Sequence, residues 1–381
     1  MTFYLFGNAG LESDVSQFGA KLGFEYEKLT DKNIIMNNKG IINDSIEHDG
    51  EIYICGGLGT ADDSTQYLAK LSDTTKNLIT DNKKGVIISM IEFNNELYIC
   101  GGLGTTIDGT QYLAKLSDPT KNLITDNKKG LIGSMIEFNN ELYVCGQEGT
   151  FDGTQYLAKF SDFSTNLIKD TDTTKGLLTN MTKYNNELYI CGYNMVPVND
   201  GVTFDTKQYQ YIIKLSDLTK NVITVDKEGM IENMLEFNKE LYICGKSGGN
   251  TDDGTQYLAK LSDFSTNLMT SNYKGEISNM IEFNNELYVC GNVITITTTY
   301  KVRYLSKLSD LKTNMFLHDL SDGDHEKDSW RYTGDINSML VVKEDSNNLA
   351  LILGLSIGLG IPILVVIIFM YQKYMPRTKN K

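Results

Sequence analysis

At 381 residues, with 41% hydrophobic and 22% charged side chains, the chain is long enough for one large repeat domain or two ordinary ones. Its formal charge is −14, and four of its 35 basic residues (Lys373, Arg377, Lys379 and Lys381) fall in the last nine positions, beyond all the acids. The body before them is therefore more acidic still and repels phosphate backbones, which excludes nucleic acid as a partner and leaves solubility or basic partners as uses for the charge.

The first predicted strand, Phe3-Tyr4-Leu5-Phe6-Gly7, is a diverged copy of a string that returns along the chain as Glu-Leu-Tyr-(Ile/Val)-Cys-Gly. Its cysteines, Cys55, Cys100, Cys145, Cys191, Cys244 and Cys290, are spaced 45, 45, 46, 53 and 46 residues apart. A fixed period of this length means one supersecondary unit copied and stacked. The copy that starts at Gly85 shows four segments: A at 85–93, B at 96–101 after an Asn94-Asn95 turn, C at 111–117, and D at 122–125 after the turn Asp118-Pro-Thr-Lys121. Each is short, rich in β-branched and aromatic residues and bounded by turn residues, which predicts strands and not helices. Four strands at this period predict the blade of a β-propeller.

Segments B and C each occur seven times, from the N-terminus to about residue 308. Segment A also occurs seven times, but its set starts at Gly40 and ends at Gly334-Asp-Ile-Asn-Ser-Met-Leu-Val-Val342. The offset predicts an all-β ring of seven four-stranded blades, closed by pairing the N-terminal strands with the C-terminal strand. Closure removes the sheet edges a linear array would expose. The cysteines, one per unit at the same place, read as buried thiols and not as a disulfide framework. The methionines at matching A positions (Met90, Met135, Met181, Met234, Met280 and Met339) read as core.

The unit resembles a kelch repeat of the galactose-oxidase type. The matching residues are the hydrophobic A strand, Asn-Asn-Glu-Leu-Tyr-Ile-Cys-Gly-Gly at 94–102, and Leu-Ser-Asp-Pro-Thr-Lys-Asn-Leu at 116–123. The likeness covers residues 3–342, with the Gly-Gly pair kept at 56–57 and 101–102 and aliphatic residues where the family's fourth strand carries tryptophan. It implies that A is the innermost strand of each blade.

Residues 349–371, from Leu349 to Tyr371, form 23 positions without a charge, enough to span a bilayer as one transmembrane helix. The expected organisation is a propeller over 1–343, a linker over 344–348, the span, and a basic tail over 372–381. The tail is more basic than the preceding flank, which places it in the cytosol and the propeller outside or in a lumen. Met1-Thr2 leads directly into the first strand, so a leader upstream of this sequence or a tail anchor with a cytosolic propeller are the two routes. Asn43-Asp-Ser45 and Asn180-Met-Thr182 have the form of glycosylation acceptors. Gly354 and Gly358 form a small-residue face suited to weak dimerisation of the span.

With A innermost and the span close behind Val342, the A–B and C–D turns are expected to face the bilayer, and the B–C and D–A loops to point away. The outward loops also break the repeat, and loops on a rigid scaffold are where binding concentrates. Candidate binding residues are Tyr193, Asn194, Phe204 and Asp205 in the insertion that makes one spacing 53, Tyr300 in a second irregular loop, and Trp330 and Arg331 in a third. A second candidate is an acidic ring at one channel mouth: Glu47, Glu92, Glu137, Glu236 and Glu282 share one A position, where Lys183 and Val341 complete the set. Such a ring would attract a cation or a basic tail.

No catalytic, metal or cofactor constellation is recognisable. Only Arg303 and Arg331 precede the span, too few for a sialidase-type arginine cluster, and the three histidines (His48, His318 and His325) do not match a copper-oxidase ligand set. The loop with His318, Asp319, Asp322, Asp324 and His325 reads as a solvated acidic loop. The expected function is a membrane-anchored protein- or ligand-binding platform, acting in interaction or adhesion. The alternatives are a propeller enzyme acting on carbohydrate and a tail-anchored cytosolic scaffold.

Overall fold

A computed structural model of the chain describes residues 2–9, 16–25, 28–34, 38–59, 64–104, 109–149, 153–168, 175–199, 204–223, 227–248, 254–270, 273–294, 301–315 and 336–342. Among them every regular element is a strand, and the strands form small antiparallel sheets in a propeller-like, all-β arrangement. Residues Phe3–Leu340 form one compact unit; the other, Met1–Thr2 with Val341–Lys381, lies almost wholly outside the described residues. The expected span at 349–371, with Gly354 and Gly358, lies outside them too. Among the described residues no helix is long and apolar enough to cross a membrane.

Each repeat folds as a three-stranded meander. Strands β4 (Gly40–His48), β5 (Glu51–Leu58) and β6 (Thr65–Lys70) form one sheet, and β7 (Gly85–Phe93), β8 (Glu96–Leu103) and β9 (Thr110–Lys115) the next. Then come β10 (Gly130–Phe138), β11 (Glu141–Glu148) and β12 (Thr154–Lys159), followed by β13 (Gly176–Tyr184), β14 (Glu187–Asn199) and β15 (Phe204–Lys214). Strands β16 (Gly229–Phe237), β17 (Glu240–Ser247) and β18 (Thr255–Lys260) join β19 (Lys274–Phe283), β20 (Glu286–Ile294) and β21 (Lys301–Lys307) through the pair Thr255 and Lys274. The last sheet runs in the order β22 (Ile336–Val342), β1 (Thr2–Ala9), β2 (Ser16–Glu25), β3 (Lys28–Ile34). The C-terminal strand thus pairs with the N-terminal one, as the offset of segment A predicts.

Local chemistry explains the meander. Asn94 and Asn95 both adopt left-handed conformations, with φ of 52° and 59°, in a two-residue hairpin between Phe93 and Glu96. Asparagine tolerates that region better than most residues, and the right-handed strand twist favours such turns. The glycine after each cysteine has a packing reason: a Cβ on Gly101 would lie 2.0 Å from the carbonyl oxygen of Val86 on the paired strand. That contact sits beside a β-bulge, which recurs in six A strands at Asn43, Ile88, Gly133, Thr179, Glu232 and Ser278.

The A strands are the innermost. β4, β7, β10, β13, β16 and β19 each touch the next. Polar side chains at and beside the bulges make many of these links. Asn43 Nδ2 donates to Ile87 O at 2.8 Å, Thr179 Oγ1 to Ile231 O at 2.6 Å, and Asn233 Nδ2 to Asn279 Oδ1 at 2.8 Å. Asn279 Nδ2 donates to Asn337 O and Asn337 Nδ2 to Ile42 O, both at 3.1 Å, which returns the series to β4. Further out, glutamines on the C strands stitch each sheet to the next: Gln111 Nε2 donates to Gln147 O at 2.9 Å and Gln256 Nε2 to Asn292 O at 2.7 Å. At β21 this glutamine is replaced by Arg303, whose guanidinium lies 3.8 Å from the Phe18 ring centroid on β2.

The core lies between neighbouring sheets, where Phe93, Cys100 and Leu113 of one meet Ile132, Met135 and Val144 of the next. All six cysteines are free and fully buried. The six aligned methionines are buried as well.

The expected fourth strand is the correction. Segment D is a strand only as β3 in the first sheet; in the other repeats it is irregular chain held by one asparagine side chain. Asn122 Oδ1 accepts the amides of Leu113 and Ile124 at 3.1 Å, and its Nδ2 donates to Gln111 O at 2.9 Å. The same triad of bonds recurs at Asn77, Asn166, Asn221 and Asn267. A side chain here does what a backbone ladder would do, so the segment needs no strand geometry. One backbone bond, Leu123 N to Leu113 O at 2.7 Å, remains.

Candidate functional site

Antiparallel meanders put the B–C and D–A connections of every repeat on one face and the A–B and C–D turns on the other. The second face is highly regular. The buried tyrosines at the start of the C strands point their hydroxyls at the C–D turns, as Tyr156 to Phe163 O at 2.8 Å and Tyr304 to Leu311 O at 2.8 Å. Lysines at the C-strand ends, including Lys115 and Lys260, cover the B-strand tyrosine rings. The acidic residues Glu47, Glu92, Glu236 and Glu282 stand exposed at the ends of their A strands, and Glu137 is half-buried. Glu92 is engaged: its Oε2 lies 3.0 Å from Nδ1 of His48 on the neighbouring strand.

The first face carries the departures from the repeat, and they cluster. At the B-strand position after Cys-Gly stand Gly57, Gly102, Gln147, Tyr193, Lys246 and Asn292. A Cβ on Gly102 would come 2.9 Å from Leu131 Cδ1, so this position faces the second A-strand residue of the next sheet. By the same geometry Lys246 faces Glu276. Lys246 is buried, with its stem against Gly254, where a Cβ would lie 2.3 Å from Lys246 Cδ. Asn292, 1% exposed, donates through Nδ2 to Glu276 Oε1 at 3.1 Å, and its Oδ1 is buried without a partner.

Glu232 belongs to this cluster. It occupies the bulge of β16, where other repeats place Asn43 or Thr179 as donors to the next strand's carbonyl. Glu232 puts an acceptor there, and it makes no hydrogen bond with the described residues. Its carboxyl is held well above the ordinary carboxylate range, first by burial and then by the charge of Glu276, while Lys246 opposes the shift. It retains some exposed surface although the surrounding protein desolvates it. Tyr193 nearby is pushed up to about 12 by burial, with Glu232 adding to the effect. Across the ring Asp44 is pushed up to about 6 by burial, against hydrogen bonds from the Met90 and Ser45 amides, both at 2.8 Å.

Sequence reasoning places Tyr193 and Asn194 in a loop; both lie within β14, at the base of an extended hairpin. The insertion continues the ladder from Asn194 opposite Tyr209 to Asn199 opposite Phe204. Asn194 Oδ1 accepts Gln155 Nε2 at 2.6 Å, tying the hairpin to the previous sheet. Phe204 and Asp205 form the far end of β15. Val196 on this hairpin and Tyr273 before β19, 46% and 42% exposed, are the two large exposed hydrophobic side chains among the described residues. Both belong to the same face and to the sector from β13 to β21. Tyr300, Trp330, Arg331 and the His318–His325 loop lie outside the described residues. Glu232, Lys246, Glu276 and Asn292 were missed; aligning the repeats column by column singles out Glu276, a carboxylate where the five preceding A segments carry Ile41, Val86, Leu131, Leu177 and Met230, whereas the columns of Glu232, Lys246 and Asn292 vary from repeat to repeat.

Among the described residues no group of three or more His, Cys, Asp or Glu side chains could hold a metal ion. The cysteine thiols are pushed up by burial, Cys191 to about 12, and are chemically quiet. The glycosylation-type asparagine Asn43 spends its amide on Ile87 O inside the innermost ring.

No family model matches the chain, and no curated protein matches it. Among solved structures it is similar to a Mycobacterium tuberculosis puromycin-hydrolyzing peptidase, at 9% identity and a TM-score of 0.44 over 80% of this chain. The match covers 53% of that peptidase, so the chain spans about half its length.

Proposed function

We propose that the chain is a single-pass membrane protein that displays a seven-bladed, kelch-like propeller as a binding platform. The ring would hold its ligand through the face of the B–C and D–A connections, in the sector from β13 to β21. One observation carries this reading: the departures from an otherwise strict repeat gather there. Tyr193, Lys246, Glu276, Asn292 and Glu232, the extended β14–β15 hairpin and the exposed Val196 and Tyr273 all belong to that sector. Structural necessity does not explain them, since the sheets β4–β6 and β7–β9 close with Gly57 and Gly102 at the corresponding position. The uncharged run at 349–371 supports the anchor, and the basic tail supports a cytosolic C-terminus. The activity is binding, not turnover.

Surface labelling of intact cells that express the chain with a C-terminal epitope tests this reading. An antibody to the repeats should label unpermeabilised cells, and the epitope should become accessible only after permeabilisation. Repeats reached only after permeabilisation would overturn the outward orientation in favour of a cytosolic scaffold.

A further inference from the structure

One column of the repeat leaves the same atom unsatisfied every time. At one C-strand position stand Gln17, Gln66, Gln111, Gln155, Gln210 and Gln256, and Arg303 completes the set. The six glutamines are buried, at most 3% exposed. Five of them donate through Nε2 to a main-chain carbonyl at one B-strand position of the next sheet: Gln66 to Gly102, Gln111 to Gln147, Gln155 to Tyr193, Gln210 to Lys246 and Gln256 to Asn292, at 2.7–3.4 Å. These bonds fix which way each amide faces, since a flip would set carbonyl against carbonyl. In all six glutamines Oε1 is buried and accepts no hydrogen bond, and at Gln17 Nε2 has no partner either. Buried acceptors are normally paired, and six left bare would cancel most of the net stability of a domain. The side chain at the receiving B position changes from glycine to glutamine, tyrosine, lysine and asparagine, so it supplies no common donor. The donor every unit calls for is small and neutral, because a cation at each place would need its own buried counter-charge.

We propose that each of these six junctions between neighbouring sheets binds one internal water molecule, which donates an O–H to the glutamine Oε1. The carbonyl that receives Nε2 keeps a second lone pair, and this gives the water's other hydrogen a partner at the five junctions where that bond exists. At the first junction Gln17 offers Oε1 and Nε2 together, so water takes the place of the direct bond. Elsewhere the two sheets are tied twice, once directly and once through water. The seventh junction is the internal control. Arg303 carries donors only, so it calls for no such water. Six internal waters are modest for 381 residues, set against about one buried water per 27 residues in globular proteins.

The test is a crystal structure of the full chain in detergent, at a resolution that shows ordered water, with oxygen-17 relaxation dispersion on the same preparation to count long-lived waters in solution. Ordered water should lie within about 3.2 Å of Oε1 at most or all of the six glutamines, and at no equivalent place beside Arg303. Gln111→Met keeps the length of the side chain and removes the acceptor. It should lose the water at that junction alone and lower the solution count by about one. Glutamine oxygens packed on apolar groups or bonded to protein donors at most of the six places would overturn the proposal. So would an unchanged solution count in a folded Gln111→Met. Should that variant fail to fold, Gln256→Met is read in the same way, and if neither folds the crystal structure of the parent decides by itself.

Discussion

At the scale of single residues, the polar side chains of the inner ring decide more than the aligned cysteines that dominate the sequence by eye. Asp44 shows how. Its carboxylate accepts the Met90 and Ser45 amides and faces the Ser89 and Ser338 hydroxyls, yet burial outweighs them and raises it from 3.8 to about 6. A carboxyl whose folded pKa is raised binds its proton more tightly in the folded state. Its contribution to stability is therefore complete below pH 3.8 and is lost as pH rises through about 6, by at most about 3 kcal/mol. Asp44→Asn should flatten the pH dependence of the melting temperature between pH 4 and pH 6; an unchanged slope there would contradict the assignment. The cysteines were legible as packing because they recur in register in hydrophobic strands. The cluster around Glu232 was not legible, because a carboxylate in a strand reads as a solvated residue until the fold desolvates it at the bulge beside Glu276 and Lys246.

At the scale of elements, the predicted A, B and C strands match the observed ones closely, since alternating burial and asparagine turns leave a strong local trace. The A strand at Gly85–Phe93 and its two-residue turn were readable to the residue. Segment D was not, because its hydrophobic pattern resembles a strand while its hydrogen bonds come from a side chain. Asn122→Ala would remove two acceptor contacts and one donor contact at a part-buried site and leave the Leu113 and Ile124 amides without their partner. The expected cost is about 2–3 kcal/mol in chemical denaturation. Asn122→Asp, which keeps the acceptor, should cost less than the alanine change. Equal and negligible effects would mean that the asparagine does not hold the segment. The β14–β15 hairpin was misread as a loop for a related reason: proline, glycine and aspartate around Pro197–Gly201 signal a turn but do not say how far the flanking strands run.

At the scale of the whole molecule, the out-of-step counting of segment A against B and C foretold that the two ends meet. The order β22-β1-β2-β3 realises it, and side-chain bonds extend the closure inward, from Asn337 Nδ2 to Ile42 O at 3.1 Å and between the Ser45 and Ser338 hydroxyls at 2.9 Å. The sector proposed for binding runs up to this seam, where Asn279 on β19 bonds Asn337 O and Arg303 on β21 lies over the Phe18 ring, and its geometry depends on a ring under closed constraint, since each sheet buries its core only against its neighbours. An open array would splay and expose sheet edges. The most direct measurement is equilibrium unfolding in denaturant of a chain lacking residues 336–342, compared with the parent. The account predicts that the variant loses the parent's single cooperative transition; a variant that unfolds at the parent's midpoint with the parent's slope would contradict closure by β22.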